Sequence, residues 1–398
     1  MTFVAAGQAR RADVGWYNRC FCAALMTRLL LVFLLLLPAP VYADVPAPPA
    51  IAAKAWLLYD FTSSQTITSA NQHERFEPAS LTKLMTAYLA FSALKQKTLT
   101  PEQVVPVSER AWKAPGSRMF LEPKKPVKVE ELLHGMITQS GNDACIALAE
   151  AIAGSEEVFA QMMNREAQRL GMKDTNYTNA SGLPNPRHYS SAYDLGLLAT
   201  ALIRDFPDYY PLYSLREYRY NNITQPNRNR LLWLDPNVDG MKTGYTENAG
   251  YCLIASAKRG ARRLLSVVLG ANSDNARAQE SQKLLNYGFQ FYDSVKLYGK
   301  GQAVSTLEVL KGTENRVKAG FLSDFYVSVP RSLADQLKAD MVSMQPLVAP
   351  IGAGQKVGTV KVTLQDKLLG EYPVVALENV AIAGFFGRAW DSMRLWFK

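Results

Sequence analysis

Strand-like apolar segments stand at both ends of a long block that shows only helical periodicity, and this spacing limits the fold more than any other feature. Ala55-Trp-Leu-Leu-Tyr-Asp60 reads as a strand closed by the turn-rich Phe61-Thr-Ser-Ser64. Comparable segments return only at Leu231 to Leu234, Tyr251 to Ser256 and Arg263 to Leu269, the last two forming a hairpin through Lys258-Arg-Gly-Ala261. Between them, helical spacing predicts helices over Ser80 to Leu94, Val129 to Met136, Asn142 to Ile152, Glu156 to Leu170 and Ser191 to Ile203. Another helix follows over Ser273 to Phe291. Helices grouped between strands that must pair across them predict one α+β domain over residues 44–300.

From Gly301 the pattern changes. Ala303 to Leu310, Phe325 to Val329, Lys356 to Thr363 and Gly370 to Ala376 are short alternating segments separated by Gly, Pro and Asn. They predict a small all-β domain over residues 301–378. No internal repeat is evident.

Both termini differ from this body. Met26-Thr-Arg28 precedes the apolar run Leu29 to Leu37, and Val41-Tyr-Ala43 supplies a cleavage-site pattern. Residues 26–43 therefore read as a secretory signal peptide within a leader of residues 1–43, with translation starting at Met1 or Met26. The run is too short to span a bilayer of roughly 30 Å. At the other end, Asn379 to Lys398 places Ile382, Phe385, Phe386, Ala389, Trp390, Met393, Trp396 and Phe397 on one helical face, opposite Arg388, Asp391, Arg394 and Lys398. An aromatic apolar face opposed by cations predicts an amphipathic helix lying on an anionic membrane surface.

The net charge is +9, and the leader holds Arg10, Arg11, Arg19, Arg28 and Asp13, leaving +6. That excess is spread along the chain and suits work near an anionic polymer. It lacks the dense basic run of a nucleic-acid arm, so nucleic acid is not expected as a partner. His73, His134 and His188 lie far apart, and no Cys/His cluster has metal-ligand spacing. Neither a metal nor an organic cofactor is expected. Cys20 and Cys22 fall in the leader; Cys145 and Cys252 sit in apolar settings and read as buried thiols, although a pairing stays open.

The chemistry is carried by three short motifs. Ser-x-x-Lys occurs twice, as Ser80-Leu-Thr-Lys83 and Ser92-Ala-Leu-Lys95. Ser80 stands at a helix start, where free backbone N–H groups favour developing negative charge, whereas Ser92 lies inside the same helix. The three-residue offset puts Lys83 on the same face as Ser80. An amine there takes the hydroxyl proton only when neutral, so burial or a neighbouring cation must push its pKa well down. Ser140-Gly-Asn142 follows on a turn between two helices, and Lys242-Thr-Gly244 at the entry to a strand. The first offers a hydroxyl and a carboxamide. The second offers a cation, a hydroxyl and a glycine that admits a substrate backbone.

In this order the motifs resemble those of the penicillin-recognising serine enzymes, S-x-x-K, S-x-N and K-T-G. More narrowly, the chain is similar to the low-molecular-mass penicillin-binding proteins that are D-alanyl-D-alanine carboxypeptidases. The stretches Glu77 to Thr86, Gln139 to Cys145, His188 to Asp194 and Asp239 to Tyr245 carry the likeness, which extends over residues 45–398. It implies a penicillin-binding transpeptidase/β-lactamase-like domain, an antiparallel sheet with a helical cluster, then a β-rich domain and a C-terminal anchor. It also implies Ser80 as nucleophile, Lys83 as general base and Ser140 as proton relay to the leaving amine. Asn142, Lys242, Thr243, Gly244 and Tyr245 would bind substrate, with the N–H groups of Ser80 and Tyr245 as the oxyanion hole. The implied partners are peptidoglycan stem peptides and β-lactam antibiotics. The implied location is the periplasmic face of the inner membrane. Tyr245 departs from the pattern, since close members often carry His there.

The rival readings are a β-lactamase-related hydrolase, a D,D-endopeptidase and a non-enzymatic cell-wall-binding protein. A class A β-lactamase would need a Glu-x-x-Leu-Asn element. Between Asn142 and Lys242 only Glu217-Tyr-Arg-Tyr-Asn221 has a Glu followed four residues later by Asn, and it lacks the Leu.

Overall fold

The structure, a computed structural model, describes residue 2 and residues 46–384. Five antiparallel strands form the sheet that carries the helices: β1 (Ala55–Asp60), β2 (Gln65–Ala70), β3 (Val238–Thr246), β4 (Gly250–Arg259) and β5 (Arg262–Ala271). Their order is β2-β1-β5-β4-β3, so the N-terminal strand lies inside the sheet, with Ala55 opposite Leu269. Side chains alternate along each strand. Leu57, Tyr59, Ile254, Leu265 and Val267 face the helical cluster. Leu58, Leu253, Ala255, Leu264 and Val268 face the opposite side.

The helical cluster holds α1 (Lys83–Lys95), α2 (Val129–Thr138), α3 (Asn142–Ala153), α4 (Glu156–Arg169) and α5 (Ala192–Asp205). The other face is covered by α6 (Asp274–Phe291), whose Leu284 and Leu285 are buried against it. Nearly every residue of α1 is buried, so this helix runs through the middle of the cluster rather than along its surface. The six helices predicted between Ser80 and Phe291 all form, with ends shifted by a few residues.

One element differs. Leu231–Leu234 was expected as a strand and is a one-turn helix. Four apolar residues are too few for periodicity to separate the two forms. Asn229 turns the chain instead: its Oδ1 accepts from Leu231 N–H and its Nδ2 donates to the Gly240 carbonyl.

Beyond α6 the chain is sheet-rich. β6 (Tyr292–Tyr298) pairs with β9 (Phe325–Pro330). A second sheet contains β7 (Ala303–Leu310), β8 (Arg316–Gly320), β10 (Leu337–Ser343), β11 (Leu347–Val348), β12 (Lys356–Leu364) and β13 (Lys367–Ala376), in the order β10-β12-β13-β8-β7-β11. Its core includes Val317, Val327, Val329, Val360, Val362 and Val374. The buried Asp60 carboxylate joins this part to the first sheet. Its Oδ2 receives Arg262 Nη2 at 2.8 Å, Ser294 Oγ at 2.6 Å and Ser328 Oγ at 2.7 Å.

The predicted terminal helix does not begin at Asn379. Residues 379–384 are extended, with bridges from Val380 to Ile351 and from Ile382 to Gly312. Val380 is buried in the β core, which fixes the backbone there. The rest of that predicted helix, residues 385–398, and the predicted signal peptide, residues 26–43, lie outside the described residues.

Candidate active site

A single 3-10 turn, Ala79–Thr82, runs directly into α1 and carries Ser80 at its second position. The first N–H groups of a helix have no acceptor within it, and Ser80, in that first turn, lines the cavity. Ala79 adopts φ +48° and Ser140 φ +61°, a left-handed region that is costly for residues with a Cβ. Backbone strain therefore sits beside Ser80, at Ala79, and at Ser140 itself.

Lys83 is buried, and its Nζ donates to Ser80 Oγ at 3.0 Å, Asn142 Oδ1 at 2.7 Å and the Ser181 carbonyl at 2.7 Å. Asn142 is fixed in turn, because its Nδ2 donates to the Pro115 carbonyl at 2.7 Å. Ser181 is presented by a tight turn in which Asn179 Oδ1 accepts from the N–H groups of Ser181, Gly182 and Leu183. Gly182 has φ +85°, and a Cβ there would lie 1.8 Å from the Ala79 carbonyl oxygen. Only glycine lets this turn sit against the nucleophile turn.

Lys242, also buried, donates to Ser140 Oγ at 2.9 Å and to the Thr243 carbonyl at 3.1 Å. Burial pushes both amines below the ordinary lysine value. The Arg228 guanidinium adds to the effect at Lys83. At Lys242 the charge of Lys83 is the next cause after burial.

Thr243, Gly244 and Tyr245 lie on β3, an edge strand of the sheet, and line a cavity of about 590 Å³ together with Ser80, Ser140 and Asn142. A Cβ on Gly244 would meet the Pro78 carbonyl oxygen at 3.1 Å, so β3 runs close against the Ser80 turn. Tyr245 is 52% exposed, and its ring lies 4.5 Å from that of Tyr251. All eight predicted site residues thus meet in one place. The duplicate motif does not join them: Lys95 donates to the Asp205 carbonyl, and Ser92 accepts from Gln96.

Several groups at the site carry no signal of their own in the sequence. Arg228, Arg230 and Arg277 line the same cavity, and Arg277 donates to the Gly244 carbonyl at 3.0 Å. His188 sits behind the nucleophile turn and makes no contact with Ser80. Its Nδ1 accepts from Thr178 N–H, so the proton is on Nε2, which donates to Thr82 Oγ1 at 2.8 Å. Burial, and then the charge of Lys83, hold its pKa down at about 4. Cys145 and Cys252 are buried free thiols, and burial pushes Cys145 up to about 12.

The arrangement suits acyl transfer. Two fixed acceptors, Asn142 Oδ1 and the Ser181 carbonyl, engage two N–H groups of Lys83. In the neutral amine the remaining position is a lone pair aimed at the Ser80 hydroxyl. A second amine–hydroxyl pair, Lys242 and Ser140, stands across the cavity.

Known proteins share this organisation. The family described as D-alanyl-D-alanine carboxypeptidase matches residues 43–273, and the C-terminal domain of penicillin-binding protein 5 matches residues 292–381. D-alanyl-D-alanine carboxypeptidase DacC of Escherichia coli K12 is 43% identical over 357 residues, covering 88% of this chain and 89% of the relative. Penicillin-binding protein 5 from Haemophilus influenzae superposes with a TM-score of 0.81 at 39% identity, over 84% of this chain and 99% of that one. Penicillin-binding protein D2 from Listeria monocytogenes, in its ampicillin-bound form, superposes with a TM-score of 0.57 at 30% identity, over 62% of this chain and 100% of that one.

Proposed function

The chain belongs to the D-alanyl-D-alanine carboxypeptidase family, and from that membership we propose how its own residues carry out the reaction. It is a serine hydrolase with D-alanyl-D-alanine carboxypeptidase activity, on a penicillin-binding transpeptidase-like fold followed by a sheet-rich C-terminal part. Ser80 Oγ attacks the carbonyl of the penultimate D-alanine of a peptidoglycan stem pentapeptide. Neutral Lys83 takes the hydroxyl proton as the bond forms. The backbone N–H groups of Ser80 and Tyr245 receive the oxyanion, where one donor is worth roughly 10²–10³ in rate. The intermediate collapses, the terminal D-alanine leaves as an amine, and Ser140 relays to it the proton that Lys83 took, which returns Lys83 to its neutral form. Water then attacks the ester on Ser80, with Lys83 again as base, and releases the shortened stem.

Asn142 holds the substrate amide. Thr243 and Lys242 receive the terminal carboxylate, and Gly244 admits the substrate backbone alongside β3. The observation that carries this reading is the Lys83 amine, buried and fixed by two acceptors with Ser80 Oγ at 3.0 Å as its third neighbour. A β-lactam offers the same reactive carbonyl, and an ampicillin-bound neighbour supports this chain as a target.

The predicted signal peptide of residues 26–43 and the cationic, aromatic residues beyond Gly384 support a protein exported to the periplasmic face of the inner membrane and attached there through its C-terminus. No helix among the described residues is long and apolar enough to cross a membrane. The composition supports a catalytic domain over residues 44–300 and a β-rich domain over 301–378. Incubation with penicillin followed by peptide mapping tests the nucleophile: the adduct is expected on Ser80 and is absent in Ser80→Ala. An adduct on another residue, or undiminished D-alanine release by that variant, overturns the assignment.

A further inference from the structure

The two backbone donors assigned above to the oxyanion hole belong to different elements, the Ser80 turn and β3. Their spacing must be fixed by something outside the substrate. Glu77 stands three residues before Ser80, and its carboxylate is bonded from the far end of β3. Thr246 Oγ1, next to Tyr245, donates to Glu77 Oε2 at 2.9 Å. Asn248 Nδ2 donates to Glu77 Oε1 at 3.2 Å.

The receiving side is itself held. Thr246 Oγ1 accepts from Ala249 N–H at 3.0 Å, which closes the turn after β3. The Asn248 carbonyl accepts from Lys54 Nζ at 3.2 Å. One carboxylate thus ties the chain entering the nucleophile turn to the turn leaving β3. The close passage of Gly244 by the Pro78 carbonyl shows how little slack lies between those elements. Pro78, which follows Glu77, has its own φ fixed by its ring, which removes one backbone rotation between Glu77 and Ser80.

We propose that Glu77 is a positioning residue for the oxyanion hole, setting through Thr246 and Asn248 the separation of the Ser80 and Tyr245 N–H groups. The inference rests on the reading of those groups as the hole. Misplacing one donor weakens the stabilisation of both tetrahedral intermediates, so acylation and deacylation fall together. A carboxylate that only stabilised the fold would, when removed, leave the bonding at the acyl carbonyl and the rates of both steps in the folded enzyme unchanged.

The experiment is difference infrared spectroscopy of the penicilloyl enzyme, with acylation and deacylation rates, for the full chain, Glu77→Ala, Glu77→Gln, Thr246→Val and Glu77→Ala/Thr246→Val. In Glu77→Ala the ester carbonyl stretch is expected to move to higher wavenumber, with both rates falling about 10- to 100-fold. Glu77→Gln, which keeps an acceptor, recovers most of the rate. The double variant loses no more than Glu77→Ala alone, because both changes cut one strap. An unshifted carbonyl stretch in Glu77→Ala overturns the proposal, whatever the rates do. If Glu77→Ala does not fold, Thr246→Val carries the same comparison, and an unshifted stretch there overturns it equally. Failure of the underlying assignment looks different, since the unsubstituted chain would then carry no adduct on Ser80.

Discussion

Lys83 and Lys242 are two buried amines held by two different serines, Ser80 at 3.0 Å and Ser140 at 2.9 Å. The distinction matters because only one of them has to be neutral before attack. Lys83 has its pKa pushed down by burial, with help from Arg228. Its unprotonated form is the competent base, so the rate constant for acylation by penicillin rises with pH through the Lys83 value and then levels. Arg228→Gln removes a cation that favours the neutral form, so the rise moves to higher pH. The pH dependence of acylation in the two proteins measures this, and a shift to lower pH contradicts it.

Asn142 supplies one of the two acceptors that orient the Lys83 amine. Asn142→Ala leaves that amine free to turn away from Ser80. Acylation is expected to fall about 10²-fold while the thermal midpoint moves only a few degrees. Stopped-flow labelling with a fluorescent penicillin, alongside calorimetry, checks both halves.

His188 is neutral in the fold down to about pH 4, whereas an unfolded histidine takes up its proton near pH 6.5. The unfolded state therefore binds more protons between those limits, and stability falls as pH drops through that window. The loss attributable to this residue reaches about 3 kcal/mol at the acid end. Denaturant unfolding of the parent and of His188→Gln, from pH 7 to pH 4, tests it; equal slopes for the two proteins count against the prediction.

Gly182→Ala places a Cβ against the Ala79 carbonyl in a residue at φ +85°. Neither partner is the end of a flexible side chain, so the turn must move. We expect a loss of about 3 kcal/mol or more, and penicillin labelling reduced with it. Gly171→Ala, at φ +80° but facing open space, is the control and should lose only the backbone cost of about 1–2 kcal/mol.

Asp60→Ala removes the acceptor shared by Arg262, Ser294 and Ser328. Arg262 is then left largely buried without its carboxylate, at a cost of about 3–5 kcal/mol. Limited proteolysis should cut between α6 and β7 faster than in the parent, and an unchanged cleavage rate would argue that the joint is held elsewhere.

The helices and the motif residues were legible because their information is local. Ser80 and Lys83 lie one turn apart on a single element, and the apolar spacing of α2 to α5 recurs often enough to define a period. The context that separated Ser80-x-x-Lys83 from Ser92-x-x-Lys95 was also local, a helix start against a helix interior. The Ser181 carbonyl was not legible, because a backbone oxygen leaves no mark in residue identity. Its only trace is the Asn179-Ala-Ser-Gly182 turn signal. Arg228 and Arg277 lie in no motif, and only the folded chain brings them to the cavity. Residues 379–384 misled for the opposite reason: an apolar pattern that fits a helix was decided by the burial of Val380 in the neighbouring β core.

The inside position of β1 has a consequence in time. Ala55 pairs with Leu269, and within the sheet β3, the strand that brings Lys242, is joined to β1 through β4 and β5. Such distant pairing must wait for a large loop to close and is slow compared with helix formation. A nascent chain that has not yet delivered Ala271 lacks the completed sheet that sets Lys242 opposite Ser80 and Lys83, and it has no strand for substrate to lie along. Reactivity toward a β-lactam therefore appears late and all at once. Labelling of newly made protein is a clock for completion of the sheet, not for synthesis of the serine.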